Sequence, residues 1–286
     1  LGLENRTTAY LVANLHQRLS SVSETPGLDA QVLLAHILEK SRAWVLAHPE
    51  AVLTPAQERL LMESQARLEQ GEPLPYVLGR WEFYGLDFIV NPNVLIPRPE
   101  TELMVEHALA WLETAPQRHL VLDAGTGSGC IAIALAVHAP ALRVVASDIS
   151  LAALKTASVN AARHAVSSHV MCVQSHLIPA IAQPFNLICA NLPYIPAEKL
   201  DELIVAEREP RLALDGGPDG LSLIRELLSS ASGSLARNGL LLIEIEASQG
   251  STAWSLAKAA FPQADVTLLP DLAGRDRLVK VLKFSE

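Results

Sequence analysis

Strand-patterned and helix-patterned segments alternate from His119 onward, which predicts an α/β protein whose parallel sheet carries helices on both faces. Three observations carry the prediction. The runs His119-Leu-Val-Leu-Asp123-Ala, Leu142-Arg-Val-Val-Ala-Ser-Asp148 and Phe185-Asn-Leu-Ile-Cys189 have the length and composition of buried parallel strands. An apolar helix, Cys130–Val137, follows the first run, and a helix beginning near Ser150 follows the second. The segments before position 80 instead carry apolar residues at helical spacing, so a smaller helical region precedes the sheet.

In order along the chain, Thr7–Leu19 and Asp29–Leu38 have helical periodicity, and Thr54–Gln70 opens with Pro55 in its first turn, where the missing N–H is harmless. Gly71, Pro73 and Pro75 break the pattern. Trp81–Val90 is β-rich and leads to Pro97 and Pro99, which start a helix running to about Trp111. The expected organisation is a helical domain over 1–80 and a larger domain over 81–286, with a short β-rich connector at about 81–97. No internal repeat or low-complexity tract interrupts it.

A chain of 286 residues that is half hydrophobic can bury one large core and a smaller one. No apolar run reaches membrane-spanning length, and nothing resembles a signal peptide. Cys130, Cys172 and Cys189 fall in apolar segments without ligand spacing, so they are expected to be buried, reduced thiols in a cytoplasmic protein. The net charge of −9 argues against a surface built to neutralise many phosphates. The nine histidines show no metal-ligand spacing such as H-E-x-x-H, and no metal is expected.

Chemistry is concentrated where the strands end. Gly125-Thr126-Gly127-Ser128-Gly129 follows the first strand and opens a helix. Glycines at alternate positions let the backbone turn sharply and deliver a ligand to the helix N-terminus. The spacing is G-x-G-x-G rather than the G-x-G-x-x-G dinucleotide fingerprint. Asp148 ends the second strand 19 residues beyond Gly129, where a carboxylate can accept both hydroxyls of a ribose; alternatively it only caps the helix near Ser150. Asn191-Leu192-Pro193-Tyr194 follows the third strand and joins a side-chain carbonyl, a main-chain carbonyl and a π-face, a set that suits a planar NH2 group. Loop, acid and Asn191 together point to S-adenosylmethionine and to methyl transfer onto an amino group.

These motifs, in this order, make the chain similar to the glutamine methyltransferases that modify peptide chain release factors. The resemblance runs over nearly the whole length. Besides the three sites above it rests on Gly71-Glu-Pro-Leu-Pro-Tyr76-Val-Leu-Gly79, Trp81-Glu-Phe83-Tyr84-Gly85, Leu95-Ile-Pro97-Arg98-Pro99-Glu100-Thr101-Glu102, Glu209-Pro210 with Asp215-Gly216-Gly217-Pro-Asp219-Gly220, and Asp271-Leu-Ala-Gly274-Arg275-Asp276-Arg277. The segments beginning at Leu95 and at Glu209 are the most specific. The chain departs from the family's usual pattern at Leu192, where proline is commoner; at Gln174-Ser175-His176-Leu177, where an acidic residue is usual; and at Glu246, where glycine is common.

The resemblance implies a class I S-adenosylmethionine-dependent methyltransferase fold, a seven-stranded and mostly parallel sheet with a terminal hairpin formed by Asp265–Leu269 and Arg277–Phe284. It implies N5-methylation of the glutamine in the Gly-Gly-Gln motif of release factors. Donor binding then falls to Gly125, Thr126, Gly127, Ser128, Gly129, Asp148 and Asn191. The acceptor and catalytic group is Asn191, Leu192, Pro193 and Tyr194, with Phe83 either opposite Tyr194 as a second wall or simply part of the core. Arg98, Glu100 and Thr101 either close over the donor or orient their helix, and Glu209-Pro210 with the 215–220 turn either shapes the substrate groove or is an ordinary turn. The implied partner is a release factor, with no membrane, no nucleic-acid substrate and a monomeric state. The competing readings are adenine N6-methylation of rRNA or DNA, which shares the Asn-Leu-Pro-Tyr turn; glutamine methylation of a ribosomal protein; and a non-enzymatic binding module. Acidic charge and the two specific segments weigh against the nucleic-acid reading, and the intact donor and acceptor motifs weigh against the last.

Overall fold

The protein is described from a computed structural model covering residues 7–114, 117 and 119–284. The outer ends of both expected domains, 1–6 and 285–286, therefore lie outside the described residues. The chain divides into two compact units between Arg80 and Trp81.

The first unit is helical: α1 Thr8–Leu19, α2 Pro26–Leu38, α3 Arg42–Ala47, α4 Pro55–Glu69 and α5 Leu74–Leu78. Its core gathers Leu15, Leu19, Leu33, Leu34 and Leu61. Local chemistry sets the helix ends. The Thr7 hydroxyl accepts from Tyr10 N, and Thr54 and Gln57 form a reciprocal capping box at the start of α4. Pro75, which reads as a breaker in the sequence, and Pro26 both open helices instead. Pro26 starts α2 three residues before the expected Asp29, and Pro75 lies in the first turn of α5, because the fixed φ of proline suits a first turn.

The second unit begins with a two-stranded sheet, β1 Arg80–Phe83 and β2 Leu86–Ile89, followed by a 3₁₀ turn at Pro99–Thr101 and α6 Glu102–Glu113. The alternating part then runs β3 Leu120–Ala124, α7 Cys130–His138, β4 Arg143–Asp148, α8 Leu151–Arg163, β5 Val170–Gln174 and β6 Phe185–Ala190. After the short helices α9 Ala197–Leu200 and α10 Ile204–Arg208 come α11 Ser222–Ser234, β7 Leu235–Glu244, α12 Gly250–Ala260, β8 Asp265–Pro270 and β9 Asp276–Leu282.

The seven strands are ordered β5-β4-β3-β6-β7-β9-β8. All neighbours are parallel except β9, which is antiparallel to both β7 and β8. This is the mostly parallel sheet with a terminal hairpin that the sequence resemblance implied. Alternate residues serve opposite faces: Val121, Val144 and Leu187 join one core, while Leu122, Val145 and Ile188 join the other. The chain runs outward from β3 to β5 and then returns to place β6 on the other side of β3, so the order reverses there. A crevice opens at such a reversal, beyond the carboxyl ends of the strands. Cys130 and Cys189 are buried as expected, whereas Cys172 is only half-buried because β5 is the edge of the sheet. No helix among the described residues is long and apolar enough to cross a membrane.

Candidate active site

The crevice at the reversal holds a cleft of about 290 Å³, lined by Gly125–Ser128, Asp148 and Asn191–Pro193 from the ends of β3, β4 and β6. The glycine loop is pinned from below. Gly125 N and Thr126 N both donate to Ser147 O at 2.9 Å, and Thr126 Oγ1 donates to Asp123 Oδ2 at 2.6 Å. Gly129 stands at the N-cap of α7 with φ +83°, and a Cβ there would lie 2.9 Å from Ile133 Cδ1 and 3.1 Å from Ala157 Cβ. Only glycine brings α7 this close to α8, with its first N–H groups at the cleft.

Asp148 reaches back to the loop. Its Oδ2 accepts from Gly127 N at 2.9 Å and its Oδ1 from Ser150 N at 2.8 Å. The cap of α8 is Ser150, whose hydroxyl accepts from Ala153 N, so capping does not account for the acid. Asp123 lies beneath the loop with no exposure; its Oδ2 also accepts from Ala132 N, while among the described residues its Oδ1 has no partner. Burial, with the Asp148 charge adding to it, pushes the Asp123 carboxyl up to about 6 against the pull of its hydrogen bonds. A buried carboxylate with an unclaimed oxygen sets a negative potential under the loop, and a cation in the cleft relieves it.

The Asn191–Tyr194 turn is held by bonds that run outward from it. Asn191 Nδ2 donates to Thr101 Oγ1 at 2.9 Å, and Thr101 Oγ1 donates to Glu244 Oε2 at 2.7 Å. Thr101 and Glu244 are buried, and burial raises the Glu244 carboxyl to about 7 although Thr101, Arg277 and Asn191 oppose the rise. Among the described residues none donates to Asn191 Oδ1 or to the Leu192 carbonyl. The next carbonyls are occupied or enclosed. Gln249 Nε2 donates to Tyr194 O at 2.9 Å, and Gly216 N donates to Ile195 O at 2.9 Å. A Cβ on Gly220 would lie 2.2 Å from Tyr194 O, so the glycine-rich 215–220 turn is a buttress for the acceptor turn rather than an ordinary surface turn.

Tyr194 itself lines a neighbouring cavity with Ile195, Pro196 and Gln249, and burial with the nearby Glu244 charge pushes its hydroxyl up to about 12. Phe83 does not stand opposite it. The Phe83 ring is 1% exposed, packs edge-on against Phe88 at 6.2 Å and belongs to the core beneath β1 and β2; the alternation of a short strand turned it inward. His176 and Leu177 line the donor cleft where the sequence departs from the family's usual acid, and His176 Nε2 lies 2.7 Å from Glu226 Oε2.

Three further residues shape the cleft, of which Asn160 and Glu244 were given no site role by the sequence. Glu209 accepts from Ile96 N at 3.0 Å and pairs with Arg98. Asn160 is fully buried and joins Ile89 N, Ile89 O and Ser128 O, tying β2 to the glycine loop. A lone amide among the alanines of α8 was its available signal. Glu244 had a weaker one, an acid at the end of a long apolar strand.

Comparison with known proteins matches residues 10–79 to a family model described as PrmC N-terminal domain and residues 100–217 to one described as Methyltransferase small domain. The release factor glutamine methyltransferase of Moorella thermoacetica is 43% identical over 256 residues, covering 89% of this chain and 90% of the relative. That of Coxiella burnetii is 40% identical over 269 residues, covering 93% and 95%. Among solved structures, a methyltransferase from Pyrococcus furiosus aligns with a TM-score of 0.51 at 14% identity, over 81% of this chain and all (100%) of that one. A SAM-dependent methyltransferase from Agrobacterium tumefaciens aligns with a TM-score of 0.50 at 14% identity, over 72% and 71%. These two show the fold alone.

Proposed function

The chain belongs to the release factor glutamine methyltransferase family, and we propose that it methylates the side-chain amide nitrogen of the glutamine in the Gly-Gly-Gln motif of release factors through its own Asn191–Tyr194 turn. It is an S-adenosylmethionine-dependent methyltransferase. The observation that carries the residue assignment is that Asn191 and Leu192 line the same cleft as the glycine loop and Asp148, while among the described residues none donates to Asn191 Oδ1 or to the Leu192 carbonyl.

The residues present fit the donor. The loop and the N-terminus of α7 offer N–H groups to a carboxylate, Asp148 offers a ribose acceptor, and the unclaimed Asp123 oxygen favours positive charge. When bound, S-adenosylmethionine supplies an electrophilic methyl group on a sulfonium centre.

An amide nitrogen is a poor nucleophile because its lone pair is delocalised into the carbonyl. Asn191 Oδ1 and Leu192 O take one substrate N–H each, which orients the nitrogen and stabilises positive charge developing on it. The methylated nitrogen is strongly acidic, so no base need act before transfer. Pro193 keeps the preceding residue extended and the turn rigid, and Tyr194 walls the acceptor side. The helical unit matched by the N-terminal family model grips the partner. The enzyme acts as a cytoplasmic monomer, and its net charge of −9 disfavours a nucleic-acid substrate.

The test offers labelled S-adenosylmethionine with a release factor, its glutamine-to-asparagine version, total ribosomal protein and rRNA in separate reactions. Label is expected on the intact release factor alone. Label on rRNA and not on the release factor would overturn the reading.

A further inference from the structure

We propose that Glu244, directly and through Thr101, is the positioning residue that fixes which end of the Asn191 carboxamide faces the acceptor, so that the slot selects a primary amide nitrogen over an oxygen. The inference rests on the functional reading above and on where one proton must lie. Thr101 Oγ1 is 2.7 Å from Glu244 Oε2 and 2.9 Å from Asn191 Nδ2, and the Asn191 side chain also donates to the Glu244 carboxylate, which holds the same end of the amide. A hydroxyl carries one proton, and an ionised carboxylate only accepts. The Thr101 proton is therefore committed to Glu244, and the Thr101 oxygen has to accept from Asn191. Its partner must then be the NH2 of that side chain, which turns Oδ1 away toward the acceptor. Thr101 is 2% and Glu244 1% exposed, so water does not relax the rule.

Protonation removes the rule. A neutral Glu244 can donate to Thr101, which frees the Thr101 proton to donate to Asn191 Oδ1 and lets the amide present its NH2 instead. Two NH2 groups would then meet in the slot. Burial raises the Glu244 carboxyl to about 7, with Glu100 adding to the rise and the Thr101 bond, Arg277 and Asn191 opposing it. Tyr194 and Cys130 also face the carboxylate, but both are held at about 12 and stay neutral where Glu244 titrates. The ionised form is the active one, so turnover climbs as pH rises through neutrality.

The experiment compares wild type, Glu244→Gln, Thr101→Val and Thr101→Ser. It reads kcat on release factor between about pH 5.5 and 8.5, together with Kd for release factor carrying glutamine or glutamate at the methylated position. Wild type should show the acid limb and a strong preference for glutamine. Glu244→Gln should lose the limb, drop about tenfold in kcat and narrow the preference about tenfold, because either end of Asn191 can then face the slot. Thr101→Val should fall at least as far, and Thr101→Ser should recover most of that loss. Unchanged donor affinity certifies the fold of each variant, and Thr101→Val decides if Glu244→Gln does not fold. Wild-type turnover in Thr101→Val, or an acid limb and a glutamine preference that both survive in Glu244→Gln, would overturn the inference. A wild-type chain that leaves release factor unlabelled would overturn the functional reading itself.

Discussion

Arg98 and Glu209 pair across 111 residues of sequence, and the same Glu209 carboxylate accepts from the Ile96 main chain at 3.0 Å. The two motif segments most specific to the family are thus clasped to each other. Their neighbours Pro97 and Pro210 line the donor cleft, so the clasp closes its rim.

Arg98→Ala should therefore destabilise the second unit. It leaves the Glu209 carboxylate, whose side chain is 4% exposed, without its charge partner, while the Arg98 side chain at 34% keeps some contact with water. A loss of about 2–3 kcal/mol in denaturant titration is expected, with weaker donor binding. Glu209→Gln, which leaves no buried charge behind, should cost less. Equal stability of Arg98→Ala and wild type would show that the clasp contributes nothing.

Asp148 and Ser150 should separate cleanly. Asp148→Ala is expected to raise the S-adenosylmethionine Kd by roughly ten- to a hundredfold, since a charged acceptor for the ribose is lost. Ser150→Ala removes the helix cap and should cost about 1 kcal/mol of stability with donor affinity unchanged. Calorimetric titration and thermal melts on the pair check this, and unchanged donor affinity in Asp148→Ala would contradict it.

Asp123 predicts a trade between stability and binding. Folding raises its carboxyl from 3.8 to about 6, so the folded protein holds that proton more tightly than the unfolded chain. Its contribution is full below about pH 3.8 and is lost as pH rises through about 6. Asp123→Asn keeps an acceptor for Thr126 and Ala132 and escapes the loss. The free variant should be more stable than wild type at pH 7.5, by up to about 2–3 kcal/mol, and indistinguishable near pH 4. Its donor affinity should fall. A variant less stable than wild type at pH 7.5 would contradict the sign.

A chain beginning at Trp81 should bind S-adenosylmethionine and methylate intact release factor poorly, because every residue proposed for donor and acceptor binding lies beyond that point. Donor affinity reports whether the shortened chain folds, and initial rates with release factor report docking. Full activity would remove the recognition role from the helical unit.

What was legible in the sequence was contiguous. The glycine loop and Asn191–Pro193 follow apolar strands and Asp148 ends one, so a local pattern placed them at strand ends, and the reversal between β3 and β6 brings them to one cleft, with Tyr194 lining the cavity beside it. What was illegible was contact at long range. Thr101 and Glu244 are 143 residues apart and meet only because α6 crosses the sheet near the end of β7, which no periodicity shows. Phe83 illustrates a different limit: an aromatic in a four-residue strand is compatible with a wall or a core, and packing against Phe88 decided it. Pro75 read as a stop because proline ends a helix from within and begins one from its first turn.

The central claim is that the Asn191 side chain, and not merely the turn that carries it, activates the acceptor amide. Steady-state kinetics of Asn191→Ala with release factor as substrate test it most directly, beside calorimetric donor binding. The account predicts that kcat falls by roughly 10²–10³, the usual cost of one preorganised transition-state hydrogen-bond partner, while the S-adenosylmethionine Kd changes far less. Wild-type turnover in a folded Asn191→Ala protein would contradict it.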